Sequence, residues 1–214
     1  MGQREQRAIF ETELHELVAT ARSFTAAQWD TPSLCDGWTV REVVVHVAFH
    51  IHRTSVRDFV GNLEQATARS VAEHHADTTE GLLSWLESTV PERGARSTIN
   101  LSELVIHQQD IRRPLGLPRS TGEPAVRRSL DLCSTRRGNV FVIGRVRRLG
   151  RGLRLTATDI DWTSGRGREV RGTADDILLA IAGRRAALDD LAGPGADVIR
   201  ARRDTPTERT ATHA

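Results

Sequence analysis

The chain has 214 residues, of which 38% are hydrophobic and 27% are charged. This composition is typical of a globular protein with one or two domains and argues against a disordered chain. All basic residues are arginine, and the formal net charge is only +2. No apolar run approaches the length of a transmembrane helix, and the N-terminus lacks the apolar core of a signal peptide. With only two cysteines, Cys35 and Cys133, we expect a reduced cytoplasmic protein.

Positive charge is concentrated in one segment of the chain. Residues 136–171 hold ten arginines and three acidic residues, whereas the segments on either side are slightly acidic. Such a block indicates a nucleic-acid interface, a solvated strand face or a cradle for an anionic small molecule. Its aromatic residues are only Phe141 and Trp162. Because a platform for stacked bases needs more aromatic rings, nucleic acid is the least favoured of the three interpretations.

The first half of the sequence predicts four amphipathic helices. Apolar residues recur at helical spacing in segments 10–21, 40–51 and 79–90. A fourth helix is predicted from Asn100 to the Pro114 that stops it. Helices of this kind with short to intermediate connections indicate a four-helix bundle.

Two capping boxes mark where helices should begin. Thr39 is followed three residues later by Glu42, and Asn100 is followed three residues later by Glu103. In such a box the two side chains satisfy each other's backbone N–H groups in the first helical turn.

The second half predicts a small α+β unit, which makes the fold class α+β. Its expected elements are a helix over 125–136, strands over 140–143 and 153–158, a hairpin turn at Gly165 and Gly167 with return strand 169–171, and a helix capped by Thr173 that carries Ile177, Leu178, Ile181 and Leu188. Core packing is expected for Cys133, and either burial or a redox role for Cys35. The predicted domains are a helical bundle over 1–117, the α+β domain over 118–201 and a disordered tail over 202–214.

Histidines and carboxylates occur at helical spacing on two of the predicted helices. His46 and His50 are an i, i+4 pair, and so are Glu103 and His107, with Asp110 three residues further on. These positions flank the apolar stripe of each helix, where a ligand can point into a crevice of the bundle. Imidazole nitrogen and carboxylate oxygen suit Zn²⁺ or a related divalent ion. Three protein ligands would leave one coordination position open, as in a catalytic zinc site.

Spacing alone leaves ordinary structural explanations open for each of these residues. A Glu-x3-His pair arises by chance in many helices, and Glu103 has a competing role in the Asn100 capping box. His46 and His50 fit equally well as flank histidines. Asp110 is expected either to orient His107 or a bound water, or to be a helix-end charge paired with Arg113.

Three segments together resemble a known family. Residues 29–46 contain Leu-Cys-Asp-Gly-Trp-Thr-Val-Arg-Glu and end at His46, and residues 103–116 contain Glu-x3-His followed by Asp-Ile-Arg-Arg-Pro-Leu-Gly. The third lies between residues 152 and 184 and closes on Gly-Arg. These segments are similar, in this order, to the mycothiol-dependent maleylpyruvate isomerase family, which lies within the wider DinB-like metal-binding four-helix bundles.

The resemblance implies a site and a cofactor. His46, Glu103 and His107 would be the metal ligands, with zinc the expected ion. Arg184 matches an arginine that the family places near its active site; the alternative is a surface arginine beside Arg185. Mycothiol, a low-molecular-weight thiol of actinobacteria, would be the thiol cosubstrate.

This site supports a thiol chemistry in which coordination keeps a thiol as the thiolate. The thiolate would attack a small electrophile, and its release or retention gives a cis–trans isomerase or an S-transferase. Arg184 and part of the basic block are suited to hold a substrate carboxylate. The alternative function is a DinB-like metal-binding stress or regulatory protein without catalysis.

Overall fold

The computed structural model describes residues 3–52, 63–88, 95–119, 121–134 and 151–204. The chain divides into two compact units, Met1–Ser129 and Leu130–Ala214. The division falls inside a helix, whereas the sequence analysis places the boundary in the loop before that helix. Within the described ranges, no helix is long and apolar enough to cross a membrane.

A four-helix bundle forms the body of the first unit. The helices of this unit are α1 (Gln3–Arg22), α2 (Ala26–Trp29), α3 (Val40–His52), α4 (Leu63–Glu73), α5 (Thr79–Glu87), α6 (Ala95–Arg112) and α7 (Glu123–Ser134), which continues into the second unit. The bundle consists of α1, α3, α5 and α6. Helices α5 and α6 each pack against both α1 and α3, and α4 lies against α3. The fully buried side chains of Phe10, Leu83 and Leu104 belong to the core of this bundle. The predicted bundle is therefore confirmed.

The start of α6 differs from the prediction. This helix begins at Ala95, five residues before the expected cap, so Asn100 lies in its interior and is buried. An N-cap has to precede the first helical turn, so the predicted capping box of Asn100 and Glu103 is wrong. Glu103 therefore does not serve in a capping box with Asn100.

The capping box at the start of α3 is confirmed. The backbone N–H of Thr39 donates to Oε2 of Glu42 over 2.6 Å, and the N–H of Glu42 donates to Oγ1 of Thr39 over 3.3 Å. These bonds satisfy backbone donors that the first helical turn leaves without an intrahelical partner. They fix where α3 begins, and with it the position of the histidines further along this helix.

Replacing Thr39 with alanine is expected to lower the free energy of unfolding by about 1 kcal/mol, the typical contribution of an N-cap side chain. Urea denaturation of the variant beside the wild type measures this loss. Thr39→Ser keeps the hydroxyl acceptor and serves as the control, with a much smaller loss. Equal losses in the two variants would contradict the capping role.

A buried carboxyl joins α1 to α6 and to the start of α7. Oε2 of Glu13 accepts a hydrogen bond from Nε2 of Gln108 over 2.8 Å, and Oε1 accepts one from the N–H of Gly122 over 2.9 Å. Burial raises the pKa of Glu13, because the ionised form loses its hydration, although these two hydrogen bonds act in the opposite direction. The ionised Glu13 is thus less favourable in the folded state than in the unfolded chain.

Glu13→Gln is therefore expected to raise the stability of the protein at neutral pH. The raised pKa means that the carboxyl favours the folded state below its unfolded pKa, and this contribution is lost as the pH rises through the folded pKa. An amide rotation of Gln108 would let its carbonyl accept from the new side chain. Denaturant melts at neutral and acidic pH should show a gain over the wild type that disappears in acid. A gain of equal size at both pH values would contradict this origin.

A three-stranded sheet forms part of the second unit. Its strands are β1 (Leu153–Ala157), β2 (Thr163–Gly165) and β3 (Arg168–Gly172). The central β1 pairs antiparallel with β2 and parallel with β3. The predicted strands over 153–158 and 169–171 are confirmed.

The predicted hairpin turn at Gly165 and Gly167 is wrong, because the strands on either side of these glycines, β2 and β3, do not pair with each other. After β2 the chain crosses the start of β1, and β3 then joins the opposite edge of the sheet. Gly167 has a φ of 125°, and a Cβ at this position would collide with the carbonyl oxygen of Gly152. The glycine therefore allows the crossing of two backbones where a tight turn was expected.

Helix α8 (Ala174–Ala182) packs its apolar side on β1 and β3. Thr173 caps it with Asp176, as predicted, and Gly183 ends it in the left-handed conformation with a φ of 104°. Leu188 is therefore outside this helix, contrary to the prediction, although it is buried. A 3₁₀ turn over Arg185–Ala187 and the helix α9 (Ala196–Asp204) follow.

Some predicted segments lie wholly or partly outside the residues that the structure describes. The strand over 140–143 and the basic residues 136–150 lie outside the described residues. The tail does so from residue 205, and residues 202–204 are the end of α9. Cys133 is buried, in agreement with its expected core position.

Candidate metal centre

Two neighbouring helices carry the polar side chains of the site. His46 and His50 lie on consecutive turns of α3, and Glu103 and His107 lie on consecutive turns of α6. Because residues four apart share one face of a helix, each pair presents two donors to the facing helix. Helices α3 and α6 pack directly against each other, so the two pairs meet inside the bundle.

The three predicted metal ligands lie together. Oε2 of Glu103 is 3.3 Å from Nε2 of His107 and 3.8 Å from Nε2 of His46. The ring centroids of His46 and His107 are 4.7 Å apart. In a tetrahedral zinc site with bonds of about 2.0–2.2 Å, neighbouring donor atoms stand about 3.3–3.6 Å apart. Both distances to Glu103 are close to this value, so Glu103 and either histidine have the spacing of two donors to one divalent ion.

His50 extends this group of donors. Its ring lies 4.4 Å from that of His46, and one donor atom from each of His46, His50 and Glu103 lies within 4.8 Å of the other two. His50 is 5% exposed, and the ring of Trp38 lies 4.9 Å from that of His46. From the sequence alone, the role of His50 is undecided between a structural histidine beside the apolar stripe and a metal ligand.

A second layer of side chains stands behind His107. Oδ2 of the fully buried Asp110 is 2.9 Å from Nδ1 of His107. The thiol of Cys35 donates to the same carboxylate oxygen over 3.1 Å, and its sulfur is 3.7 Å from Nδ1 of His107. Of the two roles expected for Asp110, the contact agrees with the first, in which Asp110 orients His107.

The loop before α3 brings Cys35 to this position. The N–H of Leu34 donates to the backbone carbonyl of Asp110 over 3.1 Å, which ties the loop to the end of α6. Ser33 closes the loop on itself, because its N–H donates to the carbonyl of Trp38 over 2.8 Å. Sequence reasoning gave Cys35 only a core or redox role, since helical spacing carries no information about a loop that folds back.

Burial and hydrogen bonding shift the protonation of the site in opposite directions. Burial lowers the pKa of His46 to about 3, because its imidazolium form would lose hydration. Burial would also lower the pKa of His107, but its contacts with Asp110, Cys35 and Glu103 raise it well above the usual value. Burial would raise the pKa of Glu103, yet the contacts with His107 and His46 hold it well below. Glu103 is therefore anionic and His46 neutral, which are the protonation states of metal ligands, whereas the raised pKa of His107 means that its imidazole would have to lose a proton to bind an ion.

Arg184 belongs to the second unit. It follows the Gly183 that ends α8, is half-buried, and donates from Nη1 to the carbonyl of Ala182 over 2.9 Å. Its neighbour Arg185 is exposed. The functional role of Arg184 stays a prediction.

The comparisons with known proteins agree on one family. Residues 10–98 match the profile described as the mycothiol maleylpyruvate isomerase N-terminal domain. The fold resembles a crystal structure of the mycothiol-dependent maleylpyruvate isomerase with a TM-score of 0.62 and 16% sequence identity. It also resembles the structure of a variant of that protein with one histidine replaced by alanine, with a TM-score of 0.61 and 16% identity. Each match covers 92% of this chain and 94% of the other. No curated protein matches the sequence.

The fold and the donor set define a class of protein, a four-helix bundle with a histidine–glutamate centre that is followed by a small α+β unit. Within this class, residues 10–98 match the mycothiol maleylpyruvate isomerase N-terminal domain. The resemblance of the sequence to this family is thus confirmed over residues 10–98.

Proposed function

We propose that the protein is a metal- and mycothiol-dependent enzyme, acting as a cis–trans isomerase or a thiol S-transferase on a small electrophile in the cytoplasm. The observation that carries this proposal is the convergence of His46, Glu103 and His107 on one point between α3 and α6. The similarity to this family supports mycothiol as the thiol, since the similar crystal structure is that of a mycothiol-dependent isomerase.

His46, Glu103 and His107 would hold the ion, and zinc is one of the divalent ions that their N,N,O donor set accepts. When bound, the ion supplies positive charge that keeps a thiol deprotonated near neutral pH. Glu103 contributes one negative charge, so the centre would retain net positive charge toward the thiolate.

Asp110 and Trp38 each contact one of the two histidine ligands and help to hold its ring in place. Asp110 accepts from the Nδ1–H of His107, which fixes the ring and leaves Nε2 3.3 Å from Oε2 of Glu103, where Nε2 would exchange its proton for the ion. The indole of Trp38 packs on His46, with the two ring centroids 4.9 Å apart. Both contacts reduce the motion of a ligand before anything binds, which favours a defined geometry.

We further propose that Arg184 binds a carboxylate or the negative charge that develops on the substrate when the thiolate adds to it. A planar guanidinium suits a carboxylate because it donates two parallel hydrogen bonds. The sequence motif that ends in Gly183 and Arg184 supports this role, and the alternative is a surface arginine.

Metal content tests the first part of the proposal. Protein purified without an affinity metal is analysed by mass spectrometry beside a His46→Ala, His107→Ala double variant. We expect close to one zinc per wild-type chain and none in the double variant, with His15→Ala as a control that keeps the metal. A wild type that takes up no metal even when zinc is supplied would refute the proposed function.

Arg184→Ala separates an enzyme from a metal-binding protein without catalysis. The variant is expected to keep its zinc and to lose turnover in a screen of mycothiol with small unsaturated carboxylates. Arg185→Ala, one residue further along the chain, removes an exposed arginine and is the matched control. Equal turnover in the two variants would assign no role to Arg184.

A further inference from the structure

We propose that His50 is a fourth protein ligand, so that the metal rests in a three-histidine, one-glutamate centre. This inference depends on the proposed metal site and adds a residue of this chain to it. The second imidazole of α3 is the feature that carries it.

The spacing of the four donors is the first argument. His46 and His50 are separated by one helical turn on α3, and Glu103 and His107 by one turn on α6. Two histidines four residues apart on one helical face are a recurrent way to bind a single zinc ion. Here the same spacing recurs on each of two packed helices, so the two pairs together offer four donors.

The surroundings of His50 are the second argument. Its side chain is buried at 5% exposure, and its ring stands 4.4 Å from that of His46. One donor atom of His50 lies within 4.8 Å of donor atoms on both His46 and Glu103. A shared cation would draw these atoms together and compensate for the cost of placing polar rings side by side in the bundle.

The other histidine nearby shows what a structural role looks like. His52, two residues further along α3, stacks on Trp85 with a centroid distance of 5.4 Å and bonds through Nε2 to the carbonyl of Trp85 over 2.7 Å. Its ring is therefore engaged with α5. His50 faces the donor group instead, although both residues end the same helix.

A fourth ligand changes how a thiol reaches the metal. With three protein ligands one tetrahedral position is open, whereas four protein ligands fill the tetrahedron. His50 would therefore limit the access of a thiol to the ion. His50, nearest the end of α3, is the ligand whose departure would leave the His46, Glu103 and His107 set intact.

X-ray absorption at the zinc edge tests the proposal on the wild-type protein itself. Three imidazoles per zinc are expected, and two would overturn the proposal while leaving the proposed function in place. Because this measurement needs no variant, it stays decisive even if a substitution at His50 impairs folding.

Competition with a chromophoric chelator gives an independent readout. His50→Ala is expected to bind zinc at least ~10-fold more weakly than wild type, since loss of even an outer partner of a ligand typically costs ~10–100-fold. His52→Ala is the matched control and should retain the wild-type affinity. Equal affinities of wild type and His50→Ala would overturn the role of His50, whereas a wild type that binds no zinc would overturn the proposed function.

Discussion

Zinc is expected to stabilise the protein by about 2.7 kcal/mol when the free metal stands at about 100 times its Kd. The reason is that His46, Glu103 and His107 come together only in the folded bundle, so that the unfolded chain offers no comparable site. Anything that binds the folded state alone shifts the folding equilibrium by mass action. Thermal melts of metal-free protein, with and without zinc, measure the effect.

Glu103→Ala provides the control for this stabilisation. It removes the donor that stands between His46 and His107, so zinc should raise the melting temperature much less than in wild type. Glu16→Ala removes an exposed acidic residue of α1 and should keep the full response to zinc. A response of equal size in Glu103→Ala and wild type would show that zinc acts elsewhere on the chain.

The amphipathic helices were the most predictable part of the fold. Helices α1 and α5 bury one face each, and the sequence shows that face as apolar residues at helical spacing, whereas α3 and α6 are buried on almost every side. Helix α4 was missed because Leu63–Glu73 contains few large apolar residues. Such a helix is held by its packing on α3 rather than by a stripe of its own.

Long-range pairing was the least predictable part. The glycines at 165 and 167 were taken for a hairpin turn because local sequence signals the need for an unusual backbone conformation but not its cause. At Gly167 the cause is the carbonyl of Gly152, across another strand. The start of α6 was misplaced for a related reason, since Asn100 has the chemistry of a cap but lies inside the helix.

The candidate site shows the same division between local and distant information. The pairs His46–His50 and Glu103–His107 could be read from spacing, because one helical turn determines which residues share a face. That the two faces meet depends on the packing of α3 on α6. Cys35 enters through a loop tied to Asp110, a contact between residues 75 positions apart that no local pattern encodes.

Asp110 is the residue whose replacement best tests whether support for a ligand matters as much as the ligand itself. We expect Asp110→Asn to weaken zinc binding by ~10–100-fold, the usual cost of removing the carboxylate partner of a metal-bound histidine. The amide preserves the shape of the side chain and can still accept from Nδ1 of His107, but it lacks the negative charge that makes the imidazole a stronger donor. Chelator competition with the metal-free proteins measures the change.

Cys35→Ala separates the charge of Asp110 from the packing around it. The thiol donates to the same oxygen that contacts His107, so its removal leaves the carboxylate and its charge in place. Zinc affinity in Cys35→Ala should therefore stay much closer to wild type than in Asp110→Asn. If the two variants lose affinity equally, the layer behind His107 acts through packing, and the carboxylate has no electrostatic role in holding the metal.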